Sequence, residues 1–293
     1  MAHDGQVEAD VLQSTAPIAG ENLYAGVLTV LNLMTSQPAC LKEPLQSIRK
    51  VLEEESLFVL TPDLEKQMRQ IFADPCFLQA KETSWTERHV HPSFIFFFDQ
   101  FMESFGWGLA GSRLTVHEYL QVHIRTSGLI VDMLPPIHGK QIRLWDSGGQ
   151  RCERRKWPRT FEDADVFVYA ASLADYDEVL YEDSSKNRLE ESFEVFESLV
   201  ATADIATRPI VVVLTKRDLL GTKLARERVP LNVSGLFPTS PDTFNVDVAE
   251  KWISDEFRIR SERYGRKAHI RTLTTTSYGD VTEFVRHLLS TFE

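Results

Sequence analysis

Apolar residues recur every three or four positions through the first third of the chain and then give way to short unbroken runs. From about Leu23 to Phe105 the spacing predicts helices: Leu45, Ile48, Val51 and Leu52, then Leu64, Met68, Ile71 and Phe72, then Phe94, Phe97, Phe98, Phe101 and Phe105. These stripes read as buried faces of an all-helical unit, and the phenylalanine-rich one as core rather than a membrane or partner surface. After Gly111 the texture changes, beginning with the runs Leu129 to Ile137 and Ile142 to Trp145. Val166 to Ala171 and Pro209 to Leu214 suit strands buried on both faces of a parallel sheet, joined by an amphipathic helix through Leu189, Phe193, Phe196, Leu199 and Val200. A helix over roughly Val246 to Tyr264, a strand at His269 to Leu273 and a helix at Val281 to Leu289 complete the pattern. Residues 1–20 are polar and rich in small side chains, and are expected to be irregular. The predicted organisation is an irregular start over 1–20, a helical unit over 21–112 and an α/β unit over 113–293.

Composition narrows the classes. With 43% hydrophobic and 26% charged residues among 293, the chain has the balance of a folded globular protein. A formal net charge of -11 repels phosphate backbones, which argues against a nucleic-acid partner. The three cysteines, Cys40, Cys76 and Cys152, make no metal-ligand spacing and suit free thiols in a reducing compartment. No apolar run approaches the roughly 20 residues that span a bilayer. Position 2 is Ala2 rather than the glycine that myristoylation requires, so membrane attachment is expected only peripherally, through partners.

Three short motifs carry candidate chemistry. Asp146-Ser147-Gly148-Gly149-Gln150 follows the strand ending at Trp145. A carboxylate at the C-terminal end of a strand can hold Mg²⁺ through water, paired glycines let a phosphate approach the backbone, and Gln150 can orient an attacking water. The same five residues also suit a plain strand-exit turn. Thr215-Lys216-Arg217-Asp218 follows the strand ending at Leu214. An aspartate there can accept two hydrogen bonds from guanine, with the lysine stem over the base; a solvated loop start is the other reading. Arg125-Thr126-Ser127-Gly128 precedes Leu129, and the Thr126 hydroxyl is a fitting Mg²⁺ ligand, although the segment also suits an ordinary hairpin approach.

Taken together and in order, these residues resemble heterotrimeric G-protein α subunits. The resemblance is carried by Asp-Ser-Gly-Gly-Gln-Arg from Asp146, Glu-Arg-Arg-Lys-Trp ending at Trp157, and Ala171 through Asp-Tyr-Asp-Glu-Val-Leu-Tyr-Glu to Asp183. It extends over about residues 21–290 and is strongest over 124–218. It implies a Ras-like GTPase sheet with helices on both faces, an inserted all-helical domain, and a GTP/GDP switch using Mg²⁺. By that resemblance Leu120, Gln121, Val122, His123, Ile124, Arg125 and Thr126 form the linker and first switch, with Thr126 and Asp146 on the metal. Asp146 to Gln150 form the second switch, Thr215 to Asp218 read guanine, and Thr274 braces the base. Arg151 to Trp157 would meet a Gβγ dimer or an effector, with a receptor upstream and a location in the cytoplasm or at the inner face of the plasma membrane.

Several positions depart from that family. No Gly-x-x-x-x-Gly-Lys-Ser/Thr phosphate loop occurs in the chain, and Gly139-Lys140 is followed by Gln141. The strand that precedes this loop lies mid-sheet in the family, so its loss would leave neighbouring strands without hydrogen-bond partners. His123 stands where the family has a charge-stabilising arginine, Thr215 replaces the usual asparagine, and the C-terminal tail is expected to be short. Two functions therefore stand open: a GTPase switch, and an interaction module with little or no nucleotide turnover.

Overall fold

The computed structural model describes residues 7–34, 61–86, 90–103, 112–137, 139–155, 157, 164–180, 183–202 and 208–291. Leu45 to Leu52 and Phe105 lie outside these residues. The chain divides into two compact units, Met1–Arg125 and Thr126–Glu293.

The first unit is built on α1 (Ala9–Met34), which corrects the expectation of an irregular start: residues 9–20 are helical. Leu12, Ala16, Ala19, Leu23, Val27, Val30, Leu31 and Met34 form its buried stripe. Small residues on that stripe let neighbours approach closely. A Cβ on Gly26 would stand 2.1 Å from the Phe94 ring, so α1 and α4 (Pro92–Glu103) meet where only glycine fits. Between them, α2 (Pro62–Phe72) starts at the Thr61 cap, whose hydroxyl accepts the Leu64 amide at 3.2 Å, with Pro62 in the first turn. It is followed by α3 (Pro75–Thr86). Phe72 is the centre of an aromatic cluster, its ring 4.6 Å from Phe98, 5.1 Å from Phe101 and 5.5 Å from Phe77.

The expected boundary at 112/113 moves to 125/126. A reason is visible in the packing: Leu114 is buried and its amide bonds to the Leu12 carbonyl at 3.2 Å. The short α5 (Val116–Tyr119) follows, closed by a reciprocal capping box between Thr115 and Glu118.

Among the described residues of the second unit the strands form two sheets, where a single sheet is expected. β1 (Leu129–Ile137) and β2 (Lys140–Ser147) make an antiparallel hairpin, with Leu129 opposite Ser147 and Ile130 opposite Asp146. β3 (Phe167–Ser172), β4 (Ile210–Thr215) and β5 (Ala268–Thr272) make a parallel sheet in that order. Among the described residues no strand joins the two. Only β4 meets the expectation of burial on both faces; β3 alternates, with Val168 half exposed. The hairpin is open too, for Leu129, Val131 and Met133 on one face and Ile130 and Leu144 on the other are all exposed.

The core of this unit lies between the parallel sheet and two helices, α7 (Arg188–Val200) and α9 (Val246–Arg263). Each is capped by asparagine: Asn187 accepts the amides of Leu189 and Glu190, and Asn245 those of Asp247 and Val248. Phe193, Phe196 and Phe257 interlock, with ring centroids 4.8 and 5.2 Å apart, and Tyr169 lies against them. Burial pushes the Tyr169 phenol up to about 12 while its hydroxyl donates to the Ser192 carbonyl at 2.9 Å. The remaining α-helices among the described residues are α6 (Arg151–Arg154), α8 (Arg217–Gly221) and α10 (Tyr278–Thr291).

Candidate functional site

Two clusters in the second unit hold most of the residues that the sequence singles out. The first lies at the end of the hairpin. Asp146 is exposed near the C-terminal end of β2, and the Thr126 hydroxyl donates to its Oδ2 at 3.3 Å. Hydroxyl and carboxylate are hard oxygen donors, so this pair suits Mg²⁺, which binds a few protein oxygens and keeps several waters. Among the described residues no group of three or more His, Cys, Asp or Glu is arranged to hold a metal.

The glycines after Ser147 are held in place from several sides. The Gly148 amide donates to the Gly128 carbonyl at 3.1 Å, and Trp157 Nε1 donates to the Gly148 carbonyl at 3.1 Å. Gly128, at φ 75°, in turn donates its amide to Glu153 Oε2 at 3.0 Å. A Cβ on Gly148 would meet the Thr126 carbonyl oxygen at 2.7 Å, so the loop before β1 and the loop after β2 touch through backbone. Gln150 caps α6, its carbonyl accepting the amides of Glu153 and Arg154.

The segment after Gln150 is tied to α7 by charge. Glu191, only 7% exposed, accepts from Arg151 Nε at 3.1 Å, from Arg151 Nη2 at 3.2 Å and from Arg154 Nη1 at 2.6 Å. Arg154 Nε also donates to the Gly149 carbonyl at 2.9 Å, which links the glycine pair to the same carboxylate. The hydrogen bond from Arg151 is the largest influence holding the Glu191 carboxyl below its ordinary range, and that from Arg154 adds to it. Arg151 reaches Asp183 as well, at 3.4 Å. Glu191 is invisible to motif reading because it is one of four glutamates in an amphipathic helix.

The second cluster lies at the C-terminal ends of β4 and β5. Thr215 is the last residue of β4, its hydroxyl donating to the Ala171 carbonyl at 3.3 Å. Lys216 follows in the left-handed conformation, φ 59°, and turns the chain into α8, whose first turn carries Asp218, exposed. Arg217 points away, donating to Glu250 Oε2 at 2.5 Å and pairing with Asp247, both on α9. Glu250 also accepts from the Thr272 hydroxyl at 2.6 Å, which ties α9 to β5. The Leu273 amide donates to the Leu214 carbonyl at 2.9 Å, and the Thr274 amide to Asp280 Oδ2 at 3.4 Å. Thr274 thus follows the strand beside the one that leads into Lys216 and Asp218.

Leu120 to Arg125 belong to the first unit. Gln121 accepts from the Ser93 hydroxyl at 2.7 Å, and Val122 packs against the helical core. Asn22 of α1 grips the backbone of His123 from both sides: its Oδ1 accepts the His123 amide at 2.6 Å and its Nδ2 donates to the carbonyl at 3.0 Å. The exposed His123 ring stacks on His91 at 4.1 Å. Ile124 is exposed.

Comparison with known proteins gives one consistent answer. The sequence profile of the G-protein α subunit family matches residues 1–290. The guanine nucleotide-binding protein subunit alpha of Coprinellus congregatus is 31% identical over 221 residues, 74% of this chain and 60% of that protein. The alpha-3 subunit of Caenorhabditis briggsae is 24% identical over 265 residues, 87% of this chain and 71% of that protein. The alpha-1 subunit of the same organism is 28% identical over 177 residues, 60% of this chain and 49% of that protein. The chain therefore spans about half to seven tenths of the length of these relatives.

Proposed function

We propose that this chain, which belongs to the G-protein α subunit family, is a guanine-nucleotide-dependent signalling switch. The observation that carries the reading is the pairing of Thr126 with Asp146 in a unit whose Lys216–Asp218 loop ends a buried parallel strand. In this reading the Asp218 carboxylate accepts the ring N–H and exocyclic amine of guanine, Lys216 lies over the base and Thr274 braces it. Thr126 and Asp146 would hold Mg²⁺, which when bound neutralises phosphate charge. Ser147 and the Gly149 amide face the terminal phosphate, the Gly148 amide being held by the Gly128 carbonyl, and Gln150 orients the hydrolytic water. His123, which belongs to the first unit, stands where the family carries an arginine. The segment from Arg151 to Trp157, fastened through Glu191, is the surface proposed for a Gβγ dimer or an effector, with a receptor upstream.

A second reading is favoured by one observation, the absence from this sequence of the Gly-x-x-x-x-Gly-Lys-Ser/Thr phosphate loop. It makes the chain an interaction module that docks through Arg151 to Trp157 with little or no nucleotide. Among the described residues no helix is long and apolar enough to cross a membrane, which suits peripheral attachment through partners in either case.

Calorimetry with a non-hydrolysable GTP analogue and Mg²⁺ separates the two. The switch reading expects binding that Asp218→Asn weakens about a hundredfold or more, since two hydrogen bonds to a charged acceptor are lost at about 1.5–3 kcal/mol each. The same variant should gain affinity for the xanthine nucleotide, whose C2 carbonyl accepts from the new amide. Absence of nucleotide binding, together with capture of a Gβγ dimer that Arg154→Glu abolishes, would select the module instead.

A further inference from the structure

The segment that carries Lys216 and Asp218 does not end with α8. It runs directly into a π-helical turn, Thr222–Arg226, in which Lys223 is 1% exposed. A buried ammonium needs an acceptor for each of its three N–H groups, and Lys223 has them. It donates to the Ala174 carbonyl, to Asp177 Oδ1 at 2.6 Å and to Glu178 Oε1 at 2.7 Å. All three belong to one stretch, the 3-10 turn Leu173–Asp177 that leaves β3 and the residue after it. Tyr176, fully buried in that turn, lies beside the ammonium with its ring centre 5.7 Å away, and its hydroxyl donates to the Val229 carbonyl at 2.8 Å.

Burying a lysine against two partly buried carboxylates is costly, and an apolar side chain would fill the same volume without that cost. What the ion cluster supplies is a fixed position, because charged partners accept little displacement. Lys223 is rigidly linked to the base-reading residues. The Leu220 amide donates to the Lys216 carbonyl at 3.0 Å, and the Thr222 hydroxyl to the Asp218 carbonyl at 3.2 Å. The Val229 amide donates to the Lys223 carbonyl at 3.0 Å. The turn that receives Lys223 is held in its own right, by Asn187 Nδ2 on the Tyr176 carbonyl at 2.8 Å and by Arg188 on Asp175 and Glu178 at 3.3 and 2.5 Å.

We propose that Lys223 is a positioning residue, which clamps the Lys216–Asp218 segment to the turn after β3 and so fixes where Asp218 presents its carboxylate. The consequence for guanine rests on the nucleotide-binding reading above; the clamp itself does not. Two variants test it, Lys223→Met, which removes the charge, and Lys223→Arg, which keeps it. A third, Lys223→Met with Asp177→Asn, removes one partly buried carboxylate as well and serves if the single variant fails to fold.

Two readouts are taken on the full chain, amide hydrogen exchange, and affinity for guanosine against inosine triphosphate, which lacks the exocyclic amine. Lys223→Met is expected to speed exchange over 216–222 about tenfold or more while β4 changes less than about twofold. It should cut the preference for guanosine about tenfold, with Lys223→Arg recovering part of both. Equal acceleration in the loop and in β4, or an unchanged loop, would overturn the clamp. An unchanged base preference in a variant whose wild type discriminates would overturn its role toward Asp218. A wild type that binds neither nucleotide refutes the nucleotide reading and with it that role, and exchange then decides the clamp alone.

Discussion

Replacing Gly148 with alanine tests whether the loops around the hairpin form one unit. The added methyl would stand 2.7 Å from the Thr126 carbonyl oxygen and 2.8 Å from Glu153 Cγ, closer than carbon tolerates. Neither neighbour can retreat without loss. Moving Glu153 stretches its bond to the Gly128 amide, and moving Thr126 stretches its bond to Asp146. Overpacking of this kind costs about 1–3 kcal/mol, which as a shift in the closed arrangement is roughly 5- to 150-fold. Gly149 provides the control, since nothing lies within 4 Å of a Cβ built on it, and alanine there should stay within about 0.5 kcal/mol of wild type. Urea denaturation and Mg²⁺ titration of nucleotide affinity read the two variants side by side. If Gly148→Ala matches Gly149→Ala in both measurements, the contact between the two loops does not exist in solution.

Glu191→Gln keeps the shape of the side chain and removes the charge that holds Arg151 and Arg154, so protease cleavage near Arg151 should accelerate. The acid dependence has a definite sign. A carboxyl held low in the folded state contributes stability above its unfolded value, here near 4.5, and loses it as pH falls through the folded value. The stability gap between wild type and Glu191→Gln should therefore be widest at about pH 7 and shrink below the ordinary carboxylate range; a gap that grows in acid would contradict the assignment. In the first unit, Phe72→Ala empties the centre of a four-ring cluster and should cost about 3–5 kcal/mol, read as a lowered melting temperature. A loss under about 1 kcal/mol would mean that the rings are not packed as described.

Sequence carried the large periodic elements well. The stripes at Leu64 to Phe72 and Phe94 to Phe101 emerged as buried helix faces, and Pro209 to Leu214 as a strand covered on both sides. The start of α1 escaped because its stripe is made partly of alanine and Gly20, and Pro17 lies within the helix, so hydrophobicity alone understates the periodicity. Strand pairing escaped for a different reason. Whether two strands share a sheet depends on backbone partners, which side-chain pattern does not encode, and the hairpin and the parallel sheet were read as one. Within the candidate site, the sequence singles out the motif residues because glycines and aspartates in that order are rare. It does not single out Glu191 and Lys223, because a charge placed among apolar neighbours looks like a solvated position until the fold brings its partners to it.

The separation of the strands into two sheets bears on how the second unit comes apart. Ladder hydrogen bonds make strands open together, and no ladder bond runs between the hairpin and the parallel sheet among the described residues. A two-stranded hairpin alone is marginal in water, whereas β4 is locked between two neighbours and covered above and below. The hairpin is therefore expected to open at a lower cost than β4, with amide exchange at the Thr126–Asp146 end faster than along β4.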